Sequence, residues 1–191
     1  KKYYKKFLMA FGFFKKKKKE EENRLHYDPT NIHIRDIRKN FILDYDLKTW
    51  EVEAEYEYDW GNEYFTYEYK LVSADDAIFL YIEEDDDLSI TVSRKISFGK
   101  LGEEVEDSIR EKRRPPKIIK YDDKTFYRES EKPGYFKNVE SKGESEEFVS
   151  WEYIDEDEER VLNIEQWNDE AFEASIGEFV DASAFSNILP A

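Results

Sequence analysis

Nine residues, Trp50–Tyr58, restrict this chain more than any other stretch. They read WEVEAEYEY and alternate without an error. Trp50, Val52, Ala54, Tyr56 and Tyr58 fall on one face; Glu51, Glu53, Glu55 and Glu57 fall on the other. Successive side chains of a strand point to opposite faces, so this period predicts a half-buried β-strand. Four neighbouring carboxylates cannot share a dry core without large desolvation costs. Trp50, Val52 and Tyr56 are therefore expected inward, and Glu51, Glu53 and Glu55 outward. The turn DWGNE (59–63) carries the Gly and Asn that hairpin loops prefer. YFTYEYKL then alternates again, with Phe65, Tyr67, Tyr69 and Leu71 on one side. The SADD break (73–76), AIFLYIE (77–83), the acidic turn 84–87 and LSITV complete four strands joined by short polar turns. That is the pattern of an antiparallel meander.

The second half repeats the first. FILDYDLKTW (41–50) aligns with KIIKYDDKTF (117–126) at an offset of 76 residues. Tyr45, Asp46, Lys48 and Thr49 match Tyr121, Asp122, Lys124 and Thr125, and Trp50 matches Phe126. Further on, YEYKL at Tyr67 matches WEYI at Trp151, and Leu80, Ile82 and Glu83 match Leu162, Ile164 and Glu165. Ile90 and Phe172 each lie eight residues beyond the second of these isoleucine pairs. The expected organisation is a basic and aromatic tail (1–24), a first β-meander (25–94), a linker (95–116) and a second β-meander (117–191). In the linker, EEVEDSIREKRR predicts one short helix that Pro115–Pro116 ends. Asp181 is a plausible N-cap for a short turn over 182–187. The fold class is mainly β: two duplicated antiparallel meanders packed as a sandwich or partly open barrel, with short helices at the N-terminus, the linker and the C-terminus. Each meander leaves one aromatic-rich face, and packing the two faces together is the economical way to cover them.

Charged residues make up 40% of the chain, which raises the question of disorder, but aromatic residues make up 17%, enough rings to build a core. The absence of cysteine excludes disulfides, thiolate metal sites and a Cys nucleophile. The net charge of −16 is unevenly spread: residues 1–19 hold nine Lys and no acid, leaving −25 on the rest. A basic head on an acidic body suggests two surfaces with different partners. The body repels nucleic acid, because phosphate binding needs clustered Lys and Arg, so no nucleic-acid partner is expected. Read as a helix, the head lines up Tyr4, Phe7, Leu8, Phe11 and Phe14 in one stripe flanked by Lys15, Lys16, Lys17, Lys18 and Lys19. That arrangement suits contact with an anionic membrane surface. The apolar stretch is too short to span a bilayer, and no small-residue cleavage site follows it, so a signal peptide is not expected.

The sequence places no catalytic set, and neither a metal nor a cofactor is expected. His26 and His33 read as surface or entry-strand residues rather than ligands. The acidic runs 83–87 and 155–159 read as solvated turns, since they lack the spaced oxygens and Gly of a calcium loop. With 46 acids any carboxylate pair arises by accident, so none is singled out as catalytic. Trp60 and Trp167 read as core or loop-pinning rings in preference to exposed binding rings. The basic stretch 110–117 reads as balancing charge.

Trp151–Tyr153, Leu162–Glu165, Trp167–Asp169, Glu173–Gly177 and Ile188–Pro190 follow one another in an order that resembles the bacterial family called domain of unknown function 4178. The first half, from its Tyr45–Trp50 start, is similar too, so the resemblance covers about residues 30–190. It implies no activity and no catalytic residue. It does imply company: members tend to be encoded beside small membrane proteins, phage-shock-type membrane-remodelling proteins and spermidine-synthase-like proteins.

Two functional expectations follow. The first is a non-enzymatic, cytoplasmic β-rich module peripheral to the inner membrane face, its head on lipid and its body on an unknown protein partner. It would belong to an envelope-stress or other membrane-associated system. The second is a domain that binds a small, polyamine-like cation through carboxylates and aromatic rings. A concave pocket lined by Glu and rings would favour the second.

Overall fold

The computed structural model describes residues 26–84, 87–167 and 171–191. The described residues up to Asp36 belong to a unit of their own. In it, Asp28 caps a turn by accepting from the Thr30 amide at 2.9 Å, and a single 3-10 turn covers Ile34–Asp36. His26 Nε2 lies 2.8 Å from the Asp36 carbonyl oxygen, and His33 Nε2 accepts from the Asn31 amide nitrogen at 2.9 Å. The membrane-contact residues Tyr4, Phe7, Leu8, Phe11, Phe14 and Lys15 to Lys19 lie outside the described residues, as does the expected N-terminal helix.

Residues 37–191 form eleven strands. In order they are β1 (Phe41–Tyr45), β2 (Lys48–Asp59), β3 (Phe65–Val72), β4 (Ala77–Glu84), β5 (Leu88–Ile96), β6 (Ile118–Tyr121), β7 (Lys124–Asn138), β8 (Glu146–Asp155), β9 (Arg160–Gln166), β10 (Phe172–Phe179) and β11 (Ser186–Pro190). All pairings are antiparallel, and the sheet order is β11-β1-β2-β3-β4-β5-β10-β9-β8-β7-β6. One extra pairing, Tyr56–Asp59 of β2 against Tyr135–Asn138 of β7, joins the sheet to itself. Strands β2-β3-β4-β5-β10-β9-β8-β7 therefore form a ring, with β1 and β11 branching from the start of β2 and β6 from the start of β7. Of the two expected arrangements, the chain adopts the partly open barrel: the seam pairs only Tyr56–Asp59 with Tyr135–Asn138, and among the described residues no strand pairs with 129–134 of β7 on that side.

The repeat is visible in backbone detail. The β1–β2 hairpin turns through Asp46 and Leu47 at φ 49° and 60°; the β6–β7 hairpin turns through Asp122 and Asp123 at φ 52° and 58°. Two left-handed residues are what a tight two-residue hairpin requires. Both β2 and β7 then carry a bulge at equivalent places, one between Val52 and Ala54 and the other between Arg128 and Ser130. Leu80, Ile82, Leu162 and Ile164 are all buried, as the matched spacing predicts. The last strand pair corrects the alignment: Ile90 pairs with Ile82, but the residue paired with Ile164 is Ala174, not Phe172.

The bulges change what each face does. Before its bulge, β2 places Trp50 and Val52 on the outer face of the ring, with Val52 opposite Leu71. After it, Ala54, Tyr56 and Tyr58 lie on the inner face, opposite Lys70, Glu68 and Thr66. An extra residue in one strand flips the side-chain phase. The uninterrupted alternation of 50–58 thus serves two faces rather than one. Glu51 and Glu53 are exposed as expected, but Glu55 is 8% exposed, because the flip turns it to the side of Tyr69, where Arg38 Nε lies 3.6 Å away.

The apolar faces do not pack against each other across the ring. They point away from it. Trp151, Tyr153, Leu162 and Ile164 pack with Leu101, Val105 and Ile109 of the linker, so the aromatic face of the second meander is roofed from outside by helix α1 (Glu103–Lys112). That helix starts with Glu103, Glu104 and Glu106 and ends with Arg110 and Lys112, which suits its dipole. Val105 and Ile109, four apart, give it one apolar stripe. It stops at Arg113, which is left-handed at φ 58°. Each side chain fully buried in this cluster contributes about 1.5–3 kcal/mol. At the C-terminus, Asp181 caps only the 3-10 turn Ala182–Ala184, accepting from the Ser183 amide at 2.8 Å, and the chain continues as β11.

Candidate binding site in the barrel interior

With the apolar side chains turned outward, the inner face is left to the polar ones. A cavity of about 80 Å³ lies inside the ring, and every one of the eight ring strands contributes to its wall. Four carboxylates face it: Glu68 from β3, Glu83 from β4, Glu152 from β8 and Glu165 from β9. They are two repeat-related pairs. Glu68 and Glu152 follow Tyr67 and Trp151, while Glu83 and Glu165 follow Ile82 and Ile164. Two cations, Lys95 and Lys132, answer them. Four carboxylates against two ammonium groups leave two negative charges uncompensated when all are ionised. Hydroxyls and an amide complete the polar wall, among them Ser93, Ser130, Ser150, Ser175, Thr91 and Asn163.

Rings and Val161 supply the rest. Tyr58, Tyr81 and Trp60 line the cavity. Tyr58 and Trp60 stack at 5.8 Å near the β2–β7 seam, where Phe148 packs edge-on to both at 5.5 and 5.4 Å. Trp167 stacks on Phe148 at 5.0 Å and Phe136 lies edge-on to Trp167 at 4.9 Å. Both tryptophans are therefore packed, as read from the sequence, but Trp60 also faces the cavity. Gly134 makes room for this cluster, since a Cβ there would meet Phe148 and Trp60 carbons at 3.0 Å.

The carboxylates sit where ionisation is costly. Desolvation, reinforced by the charge of Glu165, pushes the Glu68 carboxyl up to about 7; Lys95 and the Tyr58 hydroxyl oppose the shift. Tyr58 donates to Glu68 Oε1 at 3.2 Å. Desolvation also raises Glu165, against the pull of Lys95, and raises Glu152, against Lys132. Burial lowers the Lys95 pKa, but Glu165, Glu68 and Glu173 outweigh it and hold the ammonium charged. Lys95 Nζ lies 3.6 Å from Glu165 and 2.5 Å from Glu173, with 40% of its side chain exposed, so it bridges the interior and the surface. Tyr64 donates to Glu83. The set offers several anionic acceptors and aromatic faces around a narrow space.

Sequence reading missed this site. It assigned Glu83 to a solvated turn, whereas Glu83 is half-buried in the wall. Asp155 is also drawn in from its acidic turn: it is 3% exposed and accepts the amides of Glu159 and Arg160 at 2.9 and 3.0 Å. The available signal was the repeat, because a glutamate recurs at both matched positions of both halves. No helix among the described residues is long and apolar enough to cross a membrane.

Fold and site together define a duplicated antiparallel barrel with an acidic, aromatic interior. The chain belongs to the family described as Domain of unknown function (DUF4178), whose pattern matches residues 38–182. That span takes in the ring from β2 to β10 and α1. A relative described as an uncharacterized protein of Aquifex aeolicus (strain VF5) is 28% identical over 155 residues, 81% of this chain and 83% of the relative. No solved structure matches the chain.

Proposed function

We propose that this protein is a non-catalytic binding module whose barrel interior takes a small, linear organic cation of the polyamine kind. The observation that carries the reading is the convergence of Glu68, Glu83, Glu152 and Glu165 on a ring-lined cavity where, among the described residues, Lys95 and Lys132 are the cations that balance them. A dication restores neutrality inside, and its ammonium groups find carboxylates at one distance and Tyr or Trp faces at another. At roughly 10–15 Å³ for one water centre, the cavity suits a slim chain better than a flat ring system. Small eight-stranded barrels with this kind of lumen are suited to one small ligand. The alternative of a membrane-face module, with residues 1–19 on an anionic surface and the acidic body on a protein partner, rests on the composition of the head alone.

Isothermal titration of the full chain with putrescine, against 1,4-butanediol of the same length and no charge, tests the reading. Saturable one-site binding of the diamine, lost in Glu165→Gln, is expected. Equal heats for diamine and diol, or diamine binding untouched by the substitution, would sink it.

A further inference from the structure

The two repeats differ in one respect that the cavity does not use: the strand at the branch edge. β1 is covered by β11, in the register Ile42 with Leu189 and Asp44 with Ser186. Its repeat equivalent, β6, pairs with β7 on one side, and among the described residues no strand pairs with its other edge. In a two-residue hairpin the residues flanking the turn exchange hydrogen bonds, and alternate residues then point their N–H and C=O groups outward. For β6 the outward residues are Ile118 and Lys120, which are the repeat equivalents of Ile42 and Asp44. Both are exposed, Ile118 by 52%.

How β11 seats on β1 shows what such an edge takes. Phe185 stacks on Tyr45 at 4.9 Å, Asn187 donates to Asp44 at 2.7 Å, and Leu189 lies opposite Ile42. At β6 the aromatic and apolar partners recur as Tyr121 and Ile118, but the polar one is reversed: Lys120 stands where β1 has Asp44. Cations crowd the N-terminal end of β6, whereas Asp122 and Asp123 stand in the turn at its other end. Lys112, Arg113, Arg114, Lys117 and Lys120 are exposed, and none makes an ion pair among the described residues, on a chain whose net charge is −16. A short, lysine-bearing edge resists indiscriminate pairing while remaining open to a complementary strand.

We infer that the free edge of β6 is a docking site for an extended acidic segment of a partner protein, which adds as an antiparallel strand in the manner of β11 on β1. The segment carries an aromatic residue, an acid and an apolar residue at alternate positions, the acid meeting Lys120. This surface is separate from the barrel interior and stands whether or not that interior binds a cation.

The test uses the full chain, labelled for NMR, and two synthetic peptides with the 183–190 sequence, one with Asn187→Glu and one with Asn187→Lys. The glutamate peptide is expected to protect the amides of Ile118 and Lys120 from exchange. It should bind about fivefold more tightly than the lysine peptide, the effect of one cross-strand charge pair. Lys120→Glu, which leaves the hairpin bonds intact, should reverse the preference. The proposal is overturned if neither peptide binds, if the protected amides are those of Ile42 and Asp44, if Lys120→Glu leaves the preference unchanged, or if a short DNA duplex displaces the peptide from the same amides.

Discussion

Replacing Glu68 by glutamine should stabilise this protein at alkaline pH and leave it unchanged in acid. The carboxyl is raised from 4.5 to about 7, chiefly by desolvation. Because its folded pKa lies above its unfolded value, the folded state binds the proton more tightly. Stability is fully retained below about 4.5 and lost as pH rises through about 7. The difference of about 2.5 units, at about 1.4 kcal/mol each, puts the cost of the ionised carboxylate on the order of 3 kcal/mol at pH 8.5. Glutamine keeps the shape and an acceptor for Tyr58 but carries no charge. For a domain of this size about 1 kcal/mol moves Tm by roughly 2–4 °C, so Glu68→Gln should melt about 6–12 °C higher at pH 8.5 and match the parent near pH 4.5. Thermal unfolding followed by circular dichroism at the two pH values measures this. An equal shift at both, or a lower Tm at pH 8.5, would refute the claim that Glu68 is held in a desolvated interior. The same substitution should weaken diamine binding, so stability and function would trade at this position. Diamine binding to the parent should tighten as pH rises through about 7, with release of a proton.

Three further outcomes are expected. Gly177→Ala places a Cβ 2.7 Å from the Val92 carbonyl oxygen at the β5–β10 junction between the repeats; a loss of about 1–3 kcal/mol in urea unfolding is expected, and an unchanged midpoint would show that the junction yields. Leu47 sits fully exposed at φ 60° in the β1–β2 turn, so Leu47→Gly should gain roughly 0.5–1 kcal/mol, read as a higher Tm with the sheet signal intact. If residues 1–19 contact lipid, the full chain should co-sediment with phosphatidylserine vesicles at low salt and not at high salt; binding that survives deletion of those residues would refute the electrostatic anchor.

Much of the fold was legible because period-two alternation and a repeat offset survive in the sequence. The offset placed both hairpin turns and both buried Leu–Ile pairs. It did not reveal the bulges at Val52–Ala54 and Arg128–Ser130, since an extra residue leaves no composition signature when both strand faces are well populated. Trp50 and Tyr56 therefore looked like one face although the ring separates them. The acidic interior was hidden for the same reason. Glutamates on a strand are ordinarily solvent-facing, and nothing in YEYKL or WEYI says that closure turns the charged side inward and the aromatic side outward. The recurrence of Glu68 at Glu152, and of Glu83 at Glu165, was the one sign that these carboxylates differ from the many others.

A cation in the barrel interior is read directly by isotope-filtered NMR of the full chain with labelled putrescine. Methylene protons of the diamine should show contacts to the ring protons of Tyr58, Tyr81 and Trp60. Contacts confined to surface residues such as those of the 155–159 turn, with none to these three rings, would contradict it.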